Sequence, residues 1–238
     1  MERVYYRYIF RLKSPLALGS GISDNTDSDV LLDSRGVPYI PATSIAGVIR
    51  HSVDEDTARE LFGTIQNGSG EMSKVLTYDA VCTGENAVSV RDSVRLNNKV
   101  AEDTGKFDFE AVETGAEFRG YIELADCGAD GDSVINEAFQ KINAGLLRFG
   151  HKTTRGYGTV AVEGLQRIGF SDADDWLDFD MFDDECWKNA QAVELTKPSD
   201  LTGITLSLKQ RGGISIRRYS TDVSDGENAA PDFPAYRR

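Results

Sequence analysis

Apolar and polar positions alternate from the start of the chain. Val4, Tyr6, Tyr8, Phe10 and Leu12 fall on one side of an extended segment, and Arg7, Arg11 and Lys13 fall on the other. That period of two predicts a half-buried strand, closed by Pro15. A polar loop (16–29) follows, then a short strand at Val30–Asp33 and a turn at Ser34–Pro38 leading into another strand. Ile45, Val48, Ile49 and Val53 then recur at helical spacing, with Leu61 and Phe62 on a following turn and Gly63 as the stop. Thr43 or Ser44 is placed to cap that helix.

A loop over 67–74 separates the helix from 75–84, which reads as a strand with a turn. From Val88 to Val112 a polar centre lies between β-like flanks, which predicts a long projecting hairpin with Phe107 and Phe109 packing its base. Ala116–Ala125 alternates as a strand, Val134–Gly150 has the spacing of a second amphipathic helix, and Gly158–Phe170 reads as the next strand. Strand, helix, strands, hairpin, strand, helix, strand is a split βαβ order, so the expected class is α+β, ferredoxin-like (RRM-like), over residues 1–170. Residues 171–200 read as an acidic connecting segment, a solvated helix or loop that would keep a polyanion off that side of the molecule. Residues 201–238 read as a terminal strand and tail that completes the sheet or contacts a neighbouring subunit. "TLSLKQRGGISI" there faintly echoes "IFRLKSPLALGS" near the start.

Composition narrows the class. With 40% hydrophobic and 27% charged residues, the 238-residue chain has the makeup of a globular protein. No apolar run approaches the roughly 18 residues of a spanning helix, and the N-terminus lacks the pattern of a signal peptide, which predicts a cytoplasmic location. Cys82, Cys127 and Cys186 are odd in number and widely spaced, which argues for buried thiols over disulfides or a zinc knuckle. A formal charge of −13 opposes nonspecific adhesion to nucleic acid unless charge is segregated. It is segregated: Ser171–Trp187 is dense in acid, whereas Arg148–Val162 carries Arg148, His151, Lys152 and Arg155 among three glycines.

Three pieces, Gly36–Arg50 ("GVPYIPATSIAGVIR"), Thr104–Leu124 and Phe149–Val162 ("FGHKTTRGYGTVAV"), together resemble the RAMP proteins, the repeat-associated proteins of CRISPR systems. They look most like the repeated guide-RNA-binding backbone subunit of type III effector complexes. The resemblance runs from Tyr6 to Gly164, with Ala42 where the family usually has Gly in its "PGSS" turn. It implies a RAMP core with a projecting β-hairpin thumb, at about 88–110, and a Gly-rich loop.

The physical reading of that loop agrees. Gly150, Gly156 and Gly158 remove side chains so that a phosphate backbone can approach main-chain N–H groups, and Lys152 and Arg155 supply opposing charge. Such readout is blind to base sequence. The resemblance further implies that Ser44, Gly47, Arg50 and His51 of the first helix lie beside the guide RNA. It also implies that Arg91, Arg95 and Lys99 of the thumb meet the guide–target duplex. Counting six positions back from Asp33 reaches Asp27, where the family has an aspartate that acts in metal-dependent cleavage of target RNA; Ser28-Asp29 stands where Asn-Pro is usual. A loop carboxylate there would hold Mg²⁺ or orient the attacking ribose hydroxyl.

The expected function is therefore that of a backbone subunit in an antiviral CRISPR ribonucleoprotein, a metal-dependent endoribonuclease acting within an RNA-guided complex. Its partners would be guide RNA, target RNA, copies of itself and other effector subunits, with no membrane. Three alternatives stay open. One is a non-catalytic guide-binding scaffold with cleavage by another subunit. Another is a guide-precursor-processing endoribonuclease using His51 or His151 in acid–base chemistry. The third is a structural assembly protein that binds no RNA.

Overall fold

A computed structural model describes residues 2–21, 24–66, 69–97 and 100–198, together with 205, 207 and 209. The remainder of the expected C-terminal strand and tail lies outside the described residues, as does Lys99. In chain order the elements are β1 (Arg3–Leu12), β2 (Tyr39–Ile40), α1 (Ala42–Arg50), α2 (Glu55–Phe62), β3 (Thr64–Gln66), β4 (Ser69–Glu71), β5 (Val75–Thr77) and β6 (Ala80–Cys82). They continue with β7 (Val88–Asn97), β8 (Val100–Val112), β9 (Glu117–Ala125), α3 (Gly128–Asn143), β10 (Val160–Phe170), α4 (Ala173–Leu177) and β11 (Gln191–Ala192). No helix among the described residues is long and apolar enough to cross a membrane.

The main sheet runs β11-β10-β1-β9-β6-β2, with β5 also paired to β9. Every pairing is antiparallel, so β1 is hydrogen-bonded on both sides, to β10 and to β9. The alternation along β1 is realised: Val4, Tyr6, Tyr8, Phe10 and Leu12 all face the buried core. Phe139 of α3 meets three of those rings, at 6.3 Å from Tyr6, 5.0 Å from Tyr8 and 6.1 Å from Phe10. Helix α3 begins at Gly128, earlier than the apolar spacing shows, because its first turn is glycine and acid and buries little side chain.

Two sequence expectations are corrected. The helical pattern after Pro41 is broken into α1 and α2, because the Asp54 side chain accepts from the N–H groups of Asp56 and Thr57 and starts a new helix. Neither Thr43 nor Ser44 caps α1: both lie inside its first turn, and Pro41 is the N-cap residue. A remote carboxylate substitutes, with Asp79 Oδ1 accepting the Ala42 N–H at 2.7 Å.

Strands β7 and β8 form a separate two-stranded ribbon. Its base is fixed by a second cluster of Ala17, Phe109, Ala111 and Tyr157, with Phe107 packed against it, as the hairpin reading expects. Val88, Val90, Val94 and Val100 are exposed along its length.

The acidic segment is more than a solvated connector. Its Trp187 is 1% exposed, and with Trp176, Phe179 and Met181 it packs on Tyr5 and Tyr121, on the sheet face opposite the helices. All three cysteines are free. Cys82 is buried and the other two are half-buried, and burial pushes the Cys82 and Cys127 thiols up.

Candidate nucleic-acid interface

Helix α1 and the Gly-rich loop, about a hundred residues apart in sequence, form opposite walls of one groove of about 970 Å³. Ser44, Gly47 and His51 line it from α1, and Arg148, Gly150, His151, Thr153 and Thr154 from the loop side. Leu18, Leu31, Val48, Leu146 and Leu147 make its apolar lining. None of the described lining residues is acidic, in a chain of formal charge −13. Arg148 is held across the loop mouth, donating to the carbonyls of Gly145 and Thr153.

The glycines of the loop serve its own backbone first. A Cβ at Gly158 would lie 1.8 Å from the Phe149 carbonyl oxygen, and one at Gly150 would lie 2.4 Å from that of Ala17. Both sit at φ 75°, a region that β-carbons disfavour. Three main-chain N–H groups are taken by this packing: Phe149 donates to Gly158, His151 to Ala17 and Gly158 to Pro15. The expectation that all three glycines bare N–H groups is therefore corrected for Gly158 and for Gly156, whose N–H groups donate to the carbonyls of Pro15 and Thr153. Gly156, at φ 92° with open space where a Cβ would be, is the position where an approaching chain meets least obstruction.

The expected cations divide. Arg50 does not line the groove; it donates to the Gly63 carbonyl at the end of α2. Lys152 lies 4.1 Å and 4.6 Å from the ring centroids of Phe109 and Phe107, tying the loop to the base of the ribbon. Burial first, and the Arg155 guanidinium second, push its ammonium below the ordinary range. Arg91 is drawn into the ribbon base, 2.5 Å from Glu113, whose side chain is 1% exposed. That pairing was invisible in the local pattern because a buried carboxylate needs a cation wherever it can find one. Arg95 and Arg155 are exposed.

The aspartate loop meets the groove at Gly19. A Cβ built there would lie 2.9 Å from Ser28 Oγ and 3.7 Å from His151 Nε2. Asp29 organises this loop, accepting from the N–H groups of Asp24, Asn25 and Thr26 and from the Thr26 hydroxyl. Those bonds, the Asn25 N–H foremost, hold its carboxyl down at about 2. Asp29 is thus a structural residue of the turn. Asp27 is exposed and is pinned to the ribbon: its N–H donates to Asp108 Oδ1 at 2.9 Å, and its Oδ2 accepts from the Asp108 N–H at 3.0 Å. Asp108 is the partner that the sequence could not offer, being 81 residues away with no motif of its own. Among the described residues no three or more His, Cys, Asp or Glu side chains are grouped to hold a metal ion. Mg²⁺ is commonly held by one or two carboxylates together with substrate phosphate and water, and Asp27 and Asp108 are the two carboxylates that this contact brings together.

The sequence profile of the RAMP superfamily matches residues 9–161, and the chain belongs to that superfamily. Its fold is similar to that of a chain in the cryo-EM structure of Type III-B Cmr-beta bound to cognate target RNA. The TM-score there is 0.57 at 19% identity, covering 70% of this chain. This protein spans 61% of the length of that chain. A chain of Type III-B Cmr-beta in the apo state gives a TM-score of 0.53 at 13% identity, covering 67% of this chain and 96% of that one. No curated protein sequence matches.

Proposed function

We propose that the protein is a backbone subunit of a type III-like CRISPR ribonucleoprotein. It holds guide RNA by phosphate and ribose in the groove between α1 and the Gly-rich loop and cuts complementary target RNA beside Asp27. The observation that carries this reading is that no carboxylate is among the described residues lining the groove of a strongly acidic chain. A surface left by chance would carry its share of acid, and a polyanion repels it. Membership of the RAMP superfamily and the fold shared with Cmr-beta chains support the same reading.

Ser44, Gly47 and His51 face the RNA from α1, and Arg148, His151 and Gly156 face it from the loop, with Arg155 adding charge. Arg95, and Lys99 beyond it, would meet the guide–target duplex. Lys152, Arg50 and Arg91 act indirectly, fixing the loop, the α1–α2 junction and the thumb base. Asp27 and Asp108 are the residues that would hold Mg²⁺, which would offset the charge developing on the target phosphate. Asp27 orients the attacking ribose hydroxyl, and the ribbon fixes Asp27 through the two bonds to Asp108. Copies of the chain and other effector subunits complete the particle.

The test is cleavage of a labelled RNA complementary to the guide by the assembled complex, with Mg²⁺ and with EDTA, wild type beside Asp27→Ala. Regularly spaced, metal-dependent cuts lost in the variant, with target still bound, are the expected result. Unchanged cutting by the variant removes Asp27 from the mechanism, and tight binding without cuts in wild type leaves a scaffold. A second reading has one observation in its favour: His51 and His151 line the same groove, the residue type that metal-free acid–base cleavage of a guide precursor uses. Cuts that persist in EDTA and vanish in His151→Ala would select it.

A further inference from the structure

The sheet face opposite the helices is covered by residues 171–190. This loop leaves β10 at Phe170 and returns to pair with the same strand through β11. Both of its ends are fixed to one strand, so it can swing off the face without breaking the β10–β1 pairing.

Beneath it lies a surface of the kind that takes single-stranded RNA, with aromatic rings beside guanidinium groups on a sheet. Tyr5 and Tyr121 supply the rings, and Arg7 and Arg119 supply the cations, while Arg3 is already paired with the buried Glu123 of β9. The loop fills this surface much as a nucleic acid would. Phe179 lies 4.8 Å from Tyr5 and Trp187 lies 6.1 Å from Tyr121, where bases would stack. Asp184 stands where a phosphate would, 2.5 Å from Arg7 and 3.3 Å from Arg119, and the Arg7 guanidinium sits 4.9 Å from the Trp187 ring centroid.

The loop is poorly suited to be a permanent layer of the core. Residues 171–187 contain eight carboxylates and no Lys or Arg, and their mutual repulsion favours release. Leu177 and Phe182 remain 70% and 64% exposed even with the loop in place.

We propose that this outer face is a second binding site for single-stranded RNA, separate from the α1 groove, and that the acidic loop is its built-in competitor. RNA and loop compete for the same rings and the same arginines. Strands of low affinity are turned away from this face, and a strand held close by the assembly displaces the loop.

Trp176 and Trp187 are the chain's two tryptophans, and both lie in the loop. Their emission therefore reports the loop and not the groove. The experiment titrates the full chain at low salt with oligouridine of about 15 nucleotides, following affinity and tryptophan emission together. Asp184, with its side chain 67% exposed, can be changed without opening the core. Asp184→Ala should bind about fivefold tighter than wild type, with a red shift at saturation as Trp187 leaves the sheet, and adding Arg119→Ala should cancel the gain. Equal affinity of Asp184→Ala and wild type, or saturation without any emission change, would overturn the proposal and make the loop a fixed layer. The same titration in a Gly47→Glu background separates the two sites: the emission shift persists there even if the groove binds nothing.

Discussion

The α1 groove and the covered sheet face are both built from positions that could attract a polyanion, yet they are finished in opposite ways. On the sheet face, Arg7 and Arg119 share Asp184, and Arg3 pairs with Glu123. In the groove, Arg148 donates to the neutral carbonyls of Gly145 and Thr153, so its charge is not neutralised by a carboxylate in those bonds. The difference teaches how a chain of formal charge −13 can hold RNA at all. It does so by placing acid over one set of cations and keeping it off the other, so that local potential and net charge have opposite signs.

The largest effect expected from breaking this contrast is on the covered side. Trp187→Ala removes a side chain that is 1% exposed, and a truncation of that size in a packed cluster costs about 3–5 kcal/mol. Denaturant unfolding should show the loss, while RNA binding in the α1 groove of the protein that remains folded is unchanged. A comparable loss of groove binding would mean that the two regions are energetically one. Next comes Gly47→Glu, which writes the covered side's chemistry into the groove. Open space surrounds the Gly47 Cβ position, and replacing a helical glycine raises stability by roughly 0.5–1 kcal/mol. Affinity for RNA should nevertheless fall about tenfold, equivalent to about 1.4 kcal/mol, with a melting temperature no lower than that of wild type. Undiminished binding would place the RNA elsewhere.

How much of this was legible follows from whether the signal was local. The alternation of Val4 to Leu12 and the ribbon flanks around Val88–Val112 were readable, because each element's own periodicity matches what it buries. The same strand misled on its other face: Tyr5 sits among arginines and reads as incidental until Trp176 and Phe179 arrive from 171 residues or more away. The groove was half legible. Its glycines and cations were visible as a cluster, but which cations face RNA depends on long-range partners, Phe109 for Lys152 and the Gly63 carbonyl for Arg50. The acidic loop was read from its charge alone, and its buried aromatics were missed because acids interrupt their spacing.

A smaller effect sharpens the groove side. Arg148→Ala should weaken RNA binding about two- to fivefold and lower the salt slope of log affinity by about one. The same change should leave binding to the uncovered sheet face, measured in Asp184→Ala by tryptophan emission, as it was. A slope that stays put would show that Arg148 only closes the loop through its bonds to Gly145 and Thr153.

The smallest effect is a pH dependence confined to the loop that carries Asp27. Asp29 titrates at about 2 in the folded chain, below its ordinary value, because main-chain N–H groups solvate the carboxylate. A folded value lower than the unfolded one contributes stability that is fully present above the unfolded value, about pH 4, and is lost as pH falls through the folded value. The turn should therefore hold through mild acid and loosen only as pH approaches about 2. Asp29→Asn should abolish that dependence and loosen the turn at neutral pH as well. Amide hydrogen exchange at Asn25 and Thr26 reads it directly, because their N–H groups donate to Asp29. Protection that survives in Asp29→Asn would show that contacts with β8, including the Glu110 N–H to the Ser28 carbonyl, hold Asp27 in place without the turn.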